Sequence, residues 1–311
     1  MGEFDLIGWI RERSESGKGV ETGIGDDCAV LRIRPGAETL VTTDMLMEGR
    51  HFRLDEAGAS AVGYKALAVN LSDIAAMAGV PIAAFVAVAL PKREATSIAM
   101  GLHEGIASLA RAFGVTLAGG DTNAWDGPLV VSVTVLGEST DRKVVRRSGA
   151  QVGDAILVTG PLGGSLLGRH LHPLPRVTEA LAIARSVDIR SMIDLSDGLS
   201  SDLGHILKES GGLGATLDGP AIPIHDDARR CSTLDGLDPL QHALNDGEDF
   251  ELCLTLRPEE ATLILANPPG GVRLFRVGTI DAQPGLRLRG MDGIVRSIQS
   301  SGFDHLASLE D

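Results

Sequence analysis

The chain has 311 residues, of which 43% are hydrophobic and 23% are charged, and its net charge is −14. This length predicts two domains, and the balance of apolar and charged residues excludes wholesale disorder. The negative charge argues against nucleic acid or an anionic membrane surface as the main partner, whereas bound metal ions would still allow an anionic small ligand.

The sequence carries the signals of a cytoplasmic protein. No apolar run reaches the roughly 18 residues that a bilayer span needs, and the segment MGEFDLIGWIRER lacks the basic and apolar regions of a secretion signal. Cys28, Cys231 and Cys253 are widely spaced and form no CxxC pair. We therefore expect neither a disulfide framework nor a zinc cluster.

The first half of the chain alternates between strand and helix patterns. Predicted strands cover residues 40–43, 82–90, 115–118 and 129–137, and predicted helices cover residues 59–77 and 94–113. Gly79 is expected to close the first helix, because Pro81 lies just beyond it.

A second block of strands and helices follows a polar, glycine-containing stretch at residues 148–153. Its predicted strands cover residues 155–159, 192–194, 250–256 and 272–280, and its predicted helices cover residues 178–187 and 199–209. The glycine-rich turn at residues 160–164 fits either a phosphate-binding loop or a plain tight turn. We predict domains at residues 1–148 and 149–311, in an α/β or α+β fold.

Aspartates fall at the predicted strand ends, in turns and beside small residues. They are Asp26 and Asp27 in GIGDD, Asp44 in VTTD, Asp73 in NLSD, Asp121 in GGDT, and Asp194 and Asp197 in MIDLSDG. Adjacent strand ends converge, and α/β proteins build their sites there. Two bare carboxylates ~5 Å apart repel by about 3 kcal/mol at an effective dielectric of ~20, so a converging set must take up protons or cations. Oxygen ligands, with Thr42 and Thr43 beside Asp44, favour Mg²⁺, which usually brings phosphate.

Each of these residues also has a structural interpretation. A single aspartate at a strand end is more often a turn residue or a helix cap, and Asp197 before Gly198 is a plain N-cap candidate. His51 and His103 fit structural roles, and Lys65 fits a solvated helix face. Neither a P-loop motif nor a protein-kinase catalytic motif occurs.

Longer strings give a family resemblance over nearly the whole chain. They are GEFDLI, GIGDDCAVL, TTDMLMEGRHF, YKALAVNLSDIAAMAG, AGGDT, RRSGAQVGD, MIDLSDGLSSDLGHI, GEDFEL and GFDHL. With these strings the sequence resembles the thiamine-monophosphate kinase family, of the superfamily that includes aminoimidazole ribonucleotide synthetase and selenophosphate synthetase.

The resemblance implies a two-domain fold and a phosphotransferase. The N-terminal α/β domain would bind ATP and Mg²⁺ and would form a homodimer, its strands joining the partner's in a barrel-like interface. The C-terminal α/β layer would complete the cleft. Direct in-line transfer of the γ-phosphoryl group of ATP, assisted by several Mg²⁺ ions, would convert thiamine monophosphate to the diphosphate.

The resemblance also implies roles for individual residues. The metal ligands would be Asp27, Thr42, Thr43, Asp44, Asp73, Asp121, Asp194 and Asp197, of which Asp44, Asp73, Asp121 and Asp197 would serve catalysis through bound Mg²⁺. The nucleotide would contact Gly120, Asp121, Arg147, Ser196 and, near adenine, His103. Thiamine monophosphate would contact His51, Glu248 and Phe303.

The sequence departs from the family pattern at three places. His103 stands where the family usually has a tyrosine, Asp246 stands where it has a glycine beside the substrate residue Glu248, and the stretch between Leu167 and Pro175 is shorter. Two alternatives therefore stay open: a sister synthetase that phosphorylates another acceptor, and a non-catalytic dimer that binds nucleotide.

Overall fold

The computed structural model describes residues 3–14, 17, 19–25 and 27–299. The chain divides into two compact units. Unit 1 comprises Met1–Val144 and Leu171–Val177, and unit 2 comprises Val145–His170 and Thr178–Asp311. The main division thus lies four residues before the boundary expected after residue 148. In the described part of the chain, no helix combines the length and apolar character that crossing a membrane requires.

Unit 1 is built on a four-stranded sheet. The strands of the whole unit are β1 (Val20–Thr22), β2 (Val30–Leu31), β3 (Thr39–Met47), β4 (Val80–Pro91), β5 (Thr116–Trp125) and β6 (Val130–Glu138). Its helices are α1 (Glu3–Arg13), α2 (Leu54–Ala57), α3 (Ala59–Ala76) and α4 (Ala95–Phe113). The sheet order is β3-β6-β4-β5, in which only β4 and β5 are parallel, and β1 pairs with β2 separately.

Helices α3 and α4 cross at very short range because glycines lie at their contact. A Cβ at Gly63 would lie 2.2 Å from the carbonyl oxygen of Leu102, and one at Gly105 would lie 1.9 Å from that of Ser60. Helix α3 ends at Ala76, close to the predicted end. The residue in the left-handed conformation after it is Ala78 rather than a glycine, and the Gly79 N–H donates to the Ile74 carbonyl.

One face of the sheet is covered by helices and the opposite face is open in the single chain. Along β3 the side chains alternate: Leu40 and Leu46 are buried, whereas Val41, Met45 and Met47 are 63%, 56% and 46% exposed. The open face is therefore apolar at this edge.

Two strands of unit 1 are longer than the sequence predicts. Strand β3 continues to Met47, because Asp44 pairs with Val133 and the ladder with β6 is unbroken to that end. Strand β5 likewise continues through the AGGDT segment, with Asp121 opposite Ala87 on β4. Both aspartates lie within strands and not, as expected, after them.

Unit 2 holds a seven-stranded sheet. Its strands are β7 (Ala155–Val158), β8 (Ser191–Asp194), β9 (Gly214–Asp218), β10 (Leu252–Leu256), β11 (Phe275–Asp281), β12 (Gly285–Arg289) and β13 (Val295–Ile298), and its helices are α5 (Val177–Ser186), α6 (Leu199–Glu209), α7 (Asp226–Asp235), α8 (Pro239–Asn245) and α9 (Pro258–Ala266). The order is β13-β12-β9-β11-β7-β10-β8, and only β9 and β12 run parallel.

The centre of this sheet is fully apolar. Every residue of β7 and β10 is buried, and helix α6 packs Leu199, Leu203 and Ile206 into the same core. This packing fixes the end of β8 and the start of α6, between which the predicted residues Ser196 and Asp197 lie. Mixed α/β architecture in two units confirms the predicted fold class.

Candidate active site

In unit 1 the structure brings Asp44 of β3 next to Asp73 of α3. Both side chains are half-buried, and the Thr42 hydroxyl donates a hydrogen bond to the Asp73 carboxylate. Burial and the nearby charge of Asp73 raise the pKa of Asp44 to about 7. Thr42 and Asp44 on one face of β3, together with Asp73 of α3, thus form an oxygen-rich group. A cation would relieve the repulsion between its two carboxylates.

The neighbouring residues of this edge have other partners. Thr43 accepts a hydrogen bond from Thr134 at 3.0 Å, on the opposite face of the strand from Thr42. His51 accepts the Met47 N–H at its Nδ1, 2.9 Å away, and its carbonyl accepts from Lys65 Nζ at 2.9 Å. Lys65 is fully buried, so the interpretation as a solvated face residue is wrong.

A cavity of about 710 Å³ lies at the β5 edge of unit 1. Asp27, His103, Gly120 and Asp121 all line it, together with apolar side chains from α1 and α4. At Gly120, φ is +156° and a Cβ would lie 1.9 Å from the Val86 carbonyl oxygen, so no larger residue fits there without a shift. Four of the predicted metal or nucleotide residues therefore share one cavity.

His103 presents a buried ring to this cavity. Its Nε2 is buried and has no hydrogen-bond partner among the described residues, and Trp9 packs edge-on with ring centroids 5.2 Å apart. Burial lowers the pKa of His103, as do the charges of Arg13 and Arg111. A neutral imidazole with a free ring nitrogen suits a hydrogen bond to a heterocyclic ligand.

The two groups of unit 1 lie at opposite edges of its sheet. Asp44 pairs with Val133 on β6, and Val133 pairs with Val86 on β4. Val86 in turn pairs with Gly120 on β5. Three steps of about 4.8 Å each put Asp44 about 14 Å from Gly120. The aspartates of this unit thus lie at two places within one chain, the pair Asp44 and Asp73 at the β3 edge and the pair Asp27 and Asp121 around the cavity at the β5 edge, not in the single cluster that the sequence suggested.

Unit 2 gathers three carboxylates around the start of α6. Asp194 ends β8 and is buried, Asp197 follows in the turn, and Asp202 on α6 is 1% exposed. The Asp202 carboxylate accepts the N–H groups of Asp197 and Gly198, at 3.0 and 3.1 Å. Burial, followed by the charges of Asp194 and Asp197, raises the pKa of Asp202 to about 8.

Asp202 is a candidate site residue that the sequence patterns did not indicate. The structure makes Gly198 the N-cap of α6, and a glycine has no side chain with which to cap the helix. Asp202 reaches back from the first turn, as the acidic member of a capping box does, so Asp197 is not the N-cap that we considered. An acid in the first turn of a correctly predicted helix was the available signal.

Backbone hydrogen bonds also bring the predicted residues Ser196 and Glu248 together. The Glu248 N–H donates to the Ser196 carbonyl at 2.7 Å, and the Phe250 N–H donates to the Leu195 carbonyl at 2.8 Å. Glu248 and Phe250 both have φ of +50°, which is uncommon for residues with a side chain. Such strain concentrates at binding sites, and here it fixes the direction of the segment that carries Glu248.

The remaining predictions have different outcomes. Arg147 is exposed. Phe303 and Asp26 lie outside the described residues. The turn at residues 160–164 is not an open phosphate loop, because the Gly163 N–H donates to Asp249 and the Gly164 N–H donates to Asp246.

Comparison with known proteins identifies the family to which the chain is related. Residues 25–139 match the family model "AIR synthase related protein, N-terminal domain". The thiamine-monophosphate kinase of Rhodopirellula baltica is 41% identical over 310 residues, which cover 97% of each chain.

Solved structures agree with the sequence match. Thiamine-monophosphate kinase from Stenotrophomonas maltophilia aligns with a TM-score of 0.80 and 34% identity, covering 97% of this chain and 98% of that one. AaThiL complexed with AMPPCP and TMP aligns with a TM-score of 0.76 and 28% identity, covering 98% and 97%. The identity and the coverage together exceed what a shared fold alone would give. The chain therefore belongs to the thiamine-monophosphate kinase family.

Proposed function

We propose that this enzyme transfers the γ-phosphoryl group of ATP to thiamine monophosphate. A terminal phosphate oxygen of thiamine monophosphate would attack the γ-phosphorus in line, the bond from that phosphorus to the β–γ bridging oxygen would break, and thiamine diphosphate and ADP would leave. The observation that carries the proposal is the full-length similarity to a structure that holds an ATP analogue together with TMP.

Each unit carries carboxylates of the kind that such a reaction needs. Mg²⁺ takes oxygen ligands and binds through carboxylates and substrate phosphates. We assign it to the predicted set, namely Asp27, Thr42, Thr43, Asp44, Asp73, Asp121, Asp194 and Asp197. The raised pKa of Asp44 beside Asp73 supports this assignment, since these donors repel each other without a cation. When bound, the ions would neutralise charge on the two phosphate groups as they approach.

The residues of the chain would do the positioning. The cavity at the β5 edge would take the nucleotide, with the free Nε2 of His103 facing the base and the bare backbone at Gly120 allowing close approach. Ser196 and Arg147 are the further nucleotide residues of this proposal. Thiamine monophosphate would contact His51, Glu248 and Phe303. A backbone hydrogen bond to Ser196 holds Glu248 in place.

We also infer a homodimer. Each chain carries one aspartate pair at the β3 edge and the other at the β5 edge, and it leaves the apolar face with Val41 and Met45 exposed. Closing two such sheets into one ring would place the β3 edge of each copy beside the β5 edge of its partner. Both pairs would then reach one nucleotide, and the open faces would be buried.

The test is a reaction with the purified chain, Mg²⁺, ATP and thiamine monophosphate, followed by chromatography of thiamine diphosphate and ADP. We expect the two products in equal amounts, and neither without the acceptor. ADP formation that does not depend on the acceptor, or product formation only with another acceptor, would contradict the substrate assignment. Bound ATP without any ADP would contradict catalysis.

A further inference from the structure

Two helices of unit 2 bring together a thiol, an imidazole and a carboxylate. Cys231 lies on α7, His242 lies on α8, and Asp246 directly follows α8. One potential ligand atom from each of these residues lies within 4.8 Å of the other two. His242 is buried, whereas Cys231 and Asp246 are half-buried, so the cluster is partly accessible to solvent.

We propose that Cys231, His242 and Asp246 form a binding site for a transition-metal ion of the zinc class, with a solvent molecule as the fourth ligand. Sulfur, nitrogen and oxygen donors in one site suit zinc, whereas magnesium prefers oxygen alone. From bond lengths of about 2.0–2.3 Å, tetrahedral ligands lie roughly 3.3–3.8 Å apart. Since the ligand atoms lie within 4.8 Å of one another, the three side chains need to close by about 1.5 Å at most.

The hydrogen bonds around His242 already have the arrangement of a metal ligand. Its Nδ1 lies 3.0 Å from Asp246 Oδ1, and its Nε2 lies 3.4 Å from Asp235 Oδ1. With an ion between Nδ1 and Asp246, Nε2 would keep its proton and donate to Asp235, as metal-bound histidines commonly donate to a carboxylate. The Gly164 N–H holds Asp246 Oδ2 at 2.7 Å, which fixes the other side of that ligand.

None of the three ligands is among the residues that the proposed function assigns to the kinase reaction. Asp246 directly precedes the GEDFEL string and stands where the family usually has a glycine, and Cys231 lies on α7, which carries none of the predicted site residues. Asp246 stands two residues before Glu248. An ion here would tie α7 to the segment that leads to this substrate residue. The lack of a CxxC pair concealed the site, because only the fold brings residues 231, 242 and 246 together.

The competing explanation is an ion-pair network without metal. The carboxylates of Asp246 and Asp235 raise the pKa of His242, although burial alone would lower it. In that case a protonated imidazole would lie between two carboxylates and the thiol of Cys231 would take no part. The two explanations differ in whether the sulfur binds an ion.

Cobalt distinguishes them, because a thiolate bound to Co²⁺ gives an intense near-ultraviolet charge-transfer band and carboxylate ligands do not. The full chain, freed of metal with a chelator and kept in excess Mg²⁺, is titrated with Co²⁺. We expect the band to saturate at one equivalent per chain and to disappear when Zn²⁺ is added. Cys231→Ser should abolish the band, and Asp246→Asn should weaken Co²⁺ binding at least tenfold.

Cys28→Ser is the matched control, since Cys28 is exposed and lies in unit 1; it should keep the band. Far-ultraviolet circular dichroism of each variant establishes that the fold is retained. A native chain without the band, or a band that survives Cys231→Ser, would overturn the proposal and leave the ion-pair network as the explanation.

Discussion

At Asp44 a half-buried carboxylate faces a second carboxylate, Asp73, and burial and that neighbour together raise the pKa of Asp44 to about 7. A folded chain maintains such a pair at a cost in stability, which a bound cation would offset. The arrangement therefore favours a functional interpretation over a structural one, and it makes separate predictions for activity and for stability.

Asp44→Asn should lower thiamine diphosphate formation at least 100-fold, because several kcal/mol of charge stabilisation depend on the metal that Asp44 helps to hold. The unfolding temperature of the metal-free variant should equal or exceed that of the parent, since one repelling charge is gone. Product chromatography and thermal unfolding measure the two effects.

Asp126→Asn is the control for this substitution, because Asp126 is exposed in the same unit and pairs only with Lys92 among the described residues. It should leave turnover unchanged. Near-normal activity of Asp44→Asn with an unchanged Mg²⁺ requirement would rule out the metal assignment at this position.

Asp202 is interpreted as a positioning residue that holds the Asp197–Gly198 backbone through two N–H bonds. Asp202→Ala should therefore lower turnover at least tenfold, raise the Mg²⁺ concentration needed for half-maximal activity, and destabilise unit 2 by about 1–3 kcal/mol. Asp202→Asn keeps an acceptor oxygen and should recover most of the activity. If the asparagine variant is as inactive as the alanine variant, Asp202 acts through its charge and is itself a ligand.

Asp249 gives a pH dependence in unit 2. Burial raises the pKa of Asp249 to about 6, although Arg169 and the Gly163 N–H lower it. The folded state therefore binds the proton more tightly than the unfolded state, whose pKa is about 3.9, and stability from this group is lost as pH rises from about 4 through 6. Relative to the Asp249→Asn variant, the parent's free energy of unfolding should fall by about 3 kcal/mol over this pH range. Urea unfolding of both proteins at pH 4 and pH 7 measures this loss. If the free energies of unfolding of the two proteins change with pH in parallel, the assignment to Asp249 is contradicted.

At the scale of elements, the α3–α4 contact depends on residues without side chains. Gly63→Ala should destabilise the protein by about 3 kcal/mol or more, because its Cβ would lie 2.2 Å from a backbone oxygen that cannot rotate away. Gly8→Ala on α1 meets nothing within 4 Å and should be neutral or stabilising by about 0.5–1 kcal/mol. Denaturant unfolding of both variants tests this, and equal effects would mean that α3 can shift away from α4.

The elements that the sequence predicted well are those with a strong hydrophobic period. Helix α6 has the predicted bounds, residues 199–209, and β4 extends only a few residues beyond the predicted 82–90. Strands β12 and β13 were not predicted, because both are short and contain arginine, and β13 is largely exposed. Patterns of this kind do not separate an edge strand from a loop.

The candidate site shows the same limit. Residue types and spacing indicated which aspartates are candidates, and the pairing of Asp44 with Asp73 could be anticipated, since one lies on a strand and the other on a helix later in the same unit. That Asp121 would lie three strands away depended on the sheet order, which no local pattern encodes. The burial of Lys65 and the backbone-holding role of Asp202 likewise arise only from tertiary contacts.

At the scale of the whole molecule, the open apolar face of unit 1 is the feature that a single chain does not explain. Large exposed apolar patches on a soluble protein mark interaction sites, and Met45 lies within this patch on β3 at 56% exposure. A charged side chain here would be buried without a partner if two copies pack face to face, which is strongly unfavourable.

Met45→Glu should therefore convert the protein to a single 32.5 kDa chain in sedimentation velocity, whereas the parent should sediment at twice that mass. Loss of the dimer should also lower turnover, because the aspartate pairs at the β3 and β5 edges would no longer share a nucleotide. Met291→Glu, at an 88% exposed position in unit 2, should change neither property. A monomeric Met45→Glu variant with full activity would show that one chain completes the site alone, and a parent that sediments as a single chain would contradict the dimer itself.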